Sequence, residues 1–232
     1  MPFAFWPTSP AISRYWLDFL DFASARADGT WLFRGHSDAG LDLIPAIGRQ
    51  KASSAYREAD EKILFEDFVA RIRRTIGAQG LSDLEWLALA HAHGLPTRLL
   101  AWSSNPLVAA SQAAQEDEPA KDAEIVALRV PSVRRLRQAE PFKEAQKEPL
   151  IVEVLSSVPS LAVMSGFYSL HPDPQSPWRP SPPAYEVAAF AIPTSEKPDF
   201  RRFLHVFGYG PGERLVFPEG LAQTLGWLYR QR

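Results

Sequence analysis

The placement of proline most restricts what this chain can fold into, because proline fixes one backbone angle and has no amide hydrogen to donate. Six of the chain's 21 prolines fall between residues 171 and 183. Such a density excludes a helix or a central strand there. The segment is either a linker between domains or a surface loop fastened by Trp178. We favour the loop, because the apolar strand predicted after it needs partners from earlier in the chain.

Outside that segment, the spacing of apolar residues predicts helices first, and then strands mixed with helices. The predicted helices lie within residues 9–28 and over 58–76, 84–93, 107–115, 195–207 and 219–230, and the predicted strands over 31–35, 97–102, 124–130, 151–155 and 186–192. This order indicates the α+β class, a mixed sheet with several packed helices. We expect one domain over residues 1–232, with a helical N-terminal part (about 9–115) and a strand-rich C-terminal part (about 123–232).

Composition removes several classes of function. The formal net charge is −2, which argues against binding duplex nucleic acid in bulk. There is no cysteine, so disulfides, thiolate metal sites and a cysteine nucleophile are excluded. No apolar run approaches the roughly 18 residues of a membrane-spanning helix, and the N-terminus does not resemble a secretory signal. We therefore expect a cytoplasmic protein with no membrane partner and no bound metal.

Two arginines, Arg34 and Arg98, stand in apolar sequence beside turns. Arg34 follows Trp-Leu-Phe and precedes Gly35, which would let another group approach the backbone. A buried guanidinium cannot lose its charge, so each arginine needs a carboxylate or a bound anion. One reading is a cleft that holds a phosphate, with His36 beside it. The other is a pair of buried salt bridges, for which the sequence offers Glu61, Glu66 and Glu85.

The same segments resemble the FRG domain, a family of bacterial and phage-associated proteins named for its Phe-Arg-Gly tripeptide. Phe33-Arg-Gly35, the run Gly94-Leu-Pro-Thr-Arg-Leu-Leu100 and Asn105-Pro106 carry the resemblance. Gly166-Phe-Tyr-Ser-Leu-His171 and Val216-Phe-Pro218 fit the later part of the pattern, so it extends over roughly residues 28–230.

The resemblance implies a fold like that of ADP-ribosyltransferases. It also implies that the protein is an ADP-ribosyltransferase-like enzyme that uses NAD. In this reading Arg34 and Glu186 are catalytic, and Glu153 is the other glutamate available for the role. The residues implied to bind the nucleotide are Arg34, Gly35, His36, Thr97, Arg98 and Trp102.

The chain departs from the usual family pattern at His91, Ala92 and Ala101, where glutamine, histidine and aspartate are common. The loss of the aspartate removes a carboxylate that would otherwise stand near the arginines. These changes favour an alternative without turnover: a nucleotide- or protein-binding module that is an accessory in a phage-defence or toxin-related system. The residues alone leave both readings open.

Overall fold

The computed structural model describes residues 12–49, 56–76, 80–115, 120–131, 141–142, 148–154 and 166–209. Within these ranges there are five α-helices, two 3-10 turns (Ala46–Gly48 and Thr194–Glu196) and six strands. The helices are α1 (Arg14–Ser24), α2 (Glu58–Ile76), α3 (Asp83–Ala92), α4 (Pro106–Ala113) and α5 (Lys197–Val206). The strands are β1 (Trp31–His36), β2 (Leu99–Trp102), β3 (Ala123–Arg129), β4 (Leu150–Glu153), β5 (Phe167–Leu170) and β6 (Glu186–Ile192). The helix predicted over 219–230 lies outside the described residues.

The strands form two antiparallel sheets of three strands each, with the orders β1-β3-β6 and β2-β5-β4. One isolated antiparallel bridge between Phe33 and Ser103 joins them, with N···O distances of 2.7 and 2.8 Å. The prediction of the α+β class is confirmed, whereas the prediction of one mixed sheet is wrong, because every described pairing is antiparallel. The bridge brings the Phe-Arg-Gly segment against the strand that follows Arg98.

Successive side chains of a strand point to opposite faces, so each sheet has two different surfaces. One surface of the first sheet packs against α1, α4 and α5 through Phe33, Ile125 and Phe200. The second sheet packs one surface against α2 and α3. We call the remaining surface, continuous across the bridge, the Arg34 face. It carries Leu32, Arg34 and His36 from β1, Leu100 and Trp102 from β2, and Glu124, Val126 and Leu128 from β3.

The proline-dense segment is a loop fastened to the Arg34 face. Trp178 is buried, and its backbone N–H donates to the carbonyl of Leu43 at 3.2 Å. Its ring makes edge-on contacts with Trp102, His171 and Tyr185. The prediction of a loop fastened by this tryptophan is confirmed. None of the described helices is both long enough and apolar enough to cross a bilayer.

Gly35 lets α4 lie directly on β1. A β-carbon at this position would overlap the carbonyl oxygen of Ala109 and would stand 2.6 Å from the amide nitrogen of Ala113. Both are backbone atoms, so no change of rotamer relieves the clash. The group that approaches Gly35 is therefore a helix of the same chain. This corrects the expectation that the glycine gives a nucleotide access to the backbone.

We expect Gly35→Ala to lower the free energy of unfolding by about 3 kcal/mol, because α4 must move to admit one methyl group. Urea denaturation measures this change. Gly94→Ala is the matched control: Gly94 has φ +82° with no atom within 4 Å of a β-carbon, so only backbone strain of about 1 kcal/mol is expected. Equal losses in the two variants would contradict the packing role of Gly35.

Candidate functional site

The guanidinium of Arg98 is buried and paired. It donates to Glu61 from Nε at 3.2 Å and from Nη2 at 2.8 Å, to the Tyr56 hydroxyl at 3.1 Å and to the Pro141 carbonyl at 3.1 Å. Arg98 and Glu61 are each 2 % exposed. Burial lowers the pKa of Arg98, but the hydrogen bonds and charge of Glu61 outweigh it and raise that pKa overall. The structure thus gives Arg98 the ion pair, and not the role of presenting its guanidinium to a nucleotide.

The guanidinium of Arg34 has different hydrogen-bond partners from that of Arg98. Its Nε donates to Nε2 of His36 at 3.0 Å, and its Nη1 donates to the carbonyl of Ala101 at 2.8 Å. Among the described residues, no carboxylate pairs with it. Burial, and then repulsion from Arg49, lower the pKa of Arg34 to about 10. A guanidinium has five N–H donors, so three of them, including both on Nη2, remain for a ligand.

Arg49 adds a second positive charge to this site. It follows the 3-10 turn Ala46–Gly48, is half-buried, and donates from Nη2 to the Asp42 carbonyl at 3.1 Å. Burial lowers the pKa of Arg49, while Asp42 and Asp38 act in the opposite direction. Arg49 also lowers the pKa values of Arg34 and His36, so it lies within electrostatic range of both. Arg49 could not be assigned to the site from the sequence, because only the fold brings it to Arg34.

Three histidines lie within electrostatic range of Arg34: His36 and His171 are buried, and His91 is half-buried. Burial, and then the charge of Arg34, lower the pKa values of His36 and His171 to about 3 and that of His91 to about 4. All three imidazoles are therefore neutral near neutral pH. His36 accepts a hydrogen bond from the guanidinium, and none of the three neutral rings offsets its charge. His171, which follows β5, was not predicted as a site residue, although it ends the Gly166–His171 stretch that carries part of the FRG resemblance.

The protonation of His36 follows from its partner. Arginine only donates, so Nε2 of His36 must accept and the ring proton must sit on Nδ1. That Nδ1 is buried and has no hydrogen-bond partner. A second series of hydrogen bonds reaches His171: Trp102 Nε1 donates to Ser169 Oγ at 3.0 Å, and Ser169 Oγ shares a hydrogen bond of 2.9 Å with Nε2 of His171. The Nδ1 atom of His171 is likewise buried without a partner.

Thr97 and Trp102, both predicted to bind the nucleotide, lie in the protein interior. Thr97 is 1 % exposed, and its Oγ1 lies 3.1 Å from Nδ1 of His91. Trp102 is 3 % exposed, and its indole N–H already donates to Ser169. Thr97 is hydrogen-bonded to His91, and Trp102 is linked to His171 through Ser169, so both side chains hold histidines that lie near Arg34.

The two glutamates proposed for catalysis do not lie beside Arg34. Glu186 begins β6 on the opposite face of the first sheet, where it pairs with Arg129 at 3.2 Å. From that face its side chain does not reach a group held at Arg34. Glu153 is on the same face, but β2 and β5 stand between its strand and β1. At about 4.8 Å per strand, that places it about 14 Å from Arg34.

Comparison with known proteins gives one similarity. No curated protein and no solved structure matches the chain. The predicted likeness to ADP-ribosyltransferase folds therefore finds no support from known structures. Residues 29–122, which carry β1, α2, α3, β2 and α4 and hold both Arg34 and Arg98, match the family model of the FRG domain.

Proposed function

We propose that the Arg34 face binds a phosphate-bearing nucleotide and does so without turnover. The observation that carries the proposal is the state of Arg34: a half-buried arginine whose partners are an imidazole nitrogen and a carbonyl oxygen, with no described carboxylate. Arg98, only a strand away, shows how the same chain neutralises a buried arginine that has no ligand to bind.

Phosphate fits this arrangement better than other common anions. A guanidinium matches the oxygens of a phosphate with two parallel hydrogen bonds, and Arg34 keeps three N–H donors for that purpose. Arg49 supplies a second charge, which suits a group that carries more than one negative charge. A partly buried charge without a counter-ion is unfavourable, so neutralisation by a phosphate also stabilises the folded chain.

Binding without cleavage is favoured by the positions of Glu186 and Glu153, the two glutamates predicted for catalysis. Breaking a glycosidic bond of NAD needs a carboxylate beside the sugar carbon, where it stabilises the developing positive charge. Glu186 lies on the other face of the sheet and Glu153 lies three strands away. NAD is still the first nucleotide to test, beside ADP, because the FRG resemblance implied it. We expect NAD to bind and no nicotinamide to be released.

We expect ADP to raise the melting temperature of the protein, and Arg34→Met to weaken ADP binding about a hundredfold, because two charge-assisted hydrogen bonds are lost. Titration calorimetry measures the affinity. Arg129→Met is the matched control, since Arg129 is an arginine on the opposite face of the same sheet. An affinity that is equal in the two variants, or no binding by the wild type, would overturn the proposal. Nicotinamide release would restore the transferase reading.

A further inference from the structure

A carboxylate stands next to Arg34 on the same face without pairing with it. Glu124 of β3 is directly opposite His36 in the sheet register, and Val126, two residues further, is opposite Arg34. Glu124 is half-buried, and burial raises its pKa. No hydrogen bond or ion pair joins it to any described residue. The structure therefore holds an unpaired acceptor one strand away from an unneutralised donor.

The spacing explains why a ligand fits between them. Side chains directly opposite in an antiparallel pair have β-carbons about 5 Å apart, and diagonal ones about 7 Å. Glu124 and Arg34 are diagonal neighbours, with the Nδ1–H of His36, buried and without a partner, on the same stretch of the sheet. On the side towards β6, Ala189 and Ala191 face Val126 and Glu124 in the register, and both are exposed. Their small side chains leave room over Glu124.

We propose that the ligand of the Arg34 face is a phosphorylated sugar, with its phosphate at Arg34 and its hydroxyl groups on Glu124. An ionised carboxylate only accepts hydrogen bonds, so the ligand must offer it donors. Adjacent hydroxyls of ribose match the two oxygens of one carboxylate. This inference rests on the proposed function, because it takes the phosphate at Arg34 as given, and it adds the chemistry of the rest of the ligand.

The test compares ribose 5-phosphate with inorganic phosphate by titration calorimetry, at a pH where Glu124 is ionised. We expect the wild type to bind ribose 5-phosphate about tenfold more tightly than phosphate, because Glu124 accepts from the sugar hydroxyls. Glu124→Gln should remove that preference and leave the affinity for inorganic phosphate within about twofold. Glu186→Gln, an exposed glutamate on the other face, is the matched control and should keep the preference.

The outcomes separate this inference from the function on which it rests. If the wild type binds neither compound, the proposed function fails, and this inference fails with it. If inorganic phosphate binds but the wild type shows no preference for the sugar, only the inference fails. A Glu124→Gln variant that keeps the preference, or that loses affinity for both compounds equally, also overturns it. Thermal melting of each variant confirms that the comparison is made on folded protein.

Discussion

Replacing Glu61 by glutamine lowers the free energy of unfolding by about 4 kcal/mol, because it leaves the charge of Arg98 buried without a counter-ion. Glu61 receives hydrogen bonds from the Arg98 side chain, from the Arg98 backbone N–H at 3.1 Å and from the Tyr56 hydroxyl at 2.7 Å. A neutral amide keeps the shape of the side chain but neutralises nothing. It also places an NH₂ group where one of these donors needs an acceptor. Urea denaturation monitored by tryptophan fluorescence measures the loss.

Two further variants show that the charge, and not the bulk of the side chain, is responsible. Glu61→Leu combined with Arg98→Met removes both charges, and should recover most of the stability lost in Glu61→Leu alone. Asp67→Asn breaks the exposed pair with Arg71 one turn apart on the same helix, and should cost less than about 0.5 kcal/mol. A Glu61→Gln variant that is no less stable than Asp67→Asn would contradict the buried pair.

The protein loses stability steeply in mild acid, because His36, His91 and His171 are held neutral in the folded state. Their folded pKa values, about 3 to 4, lie below the unfolded value of 6.5. Above that unfolded value neither state is protonated, and their contribution is complete. As the pH falls below 6.5, the histidines of the unfolded chain bind protons, whereas those of the folded chain do not. Each histidine then contributes a slope of about 1.4 kcal/mol per pH unit, until its folded pKa is reached.

Urea denaturation at a series of pH values from 6.5 down to about 5 measures this slope above the range in which ordinary carboxylates titrate. The three histidines together give a limiting slope of about 4 kcal/mol per pH unit. His36→Gln and His171→Gln, which keep an acceptor for Arg34 and Ser169, should each reduce the slope by about a third. A slope that does not change in either variant would show that these rings are not the groups that take up the protons.

The elements with strong local signals were predictable from the sequence. The periodic spacing of α2 predicts the bounds that the structure has, and Ser82 and Glu85, a Ser-x-x-Glu sequence, form a capping box at the start of α3. The start of α4 is marked in a similar way, with Asn105 as its cap and Pro106 as its first residue. Each of these signals depends on residues within one helical turn, so no information about the rest of the fold is needed.

The pairing of the strands could not be predicted from the sequence. Most of the site depends on that pairing, so it could not be predicted either. Which face a strand residue occupies depends on its register with a strand far along the chain. That register places Glu186 on the face opposite Arg34 and Glu124 on the same one. Arg98 has a carboxylate partner and Arg34 has none among the described residues. This difference also depends on the fold, which brings Glu61 of α2 to Arg98. The organisation of residues 1–232 as one domain stays a prediction.

The strand pairing also bears on the order in which the chain is synthesised. β1 and β2 lie within the stretch that matches the FRG domain, yet each finds its full strand partner beyond residue 122: Trp31 pairs with Arg129, and Leu99 with Leu170. A nascent chain that has emerged only as far as residue 122 therefore exposes two apolar strands with open edges, which are sites for aggregation. Pairing of such high contact order is slow, so the nascent chain depends on β3 and β5 emerging before those edges meet another molecule.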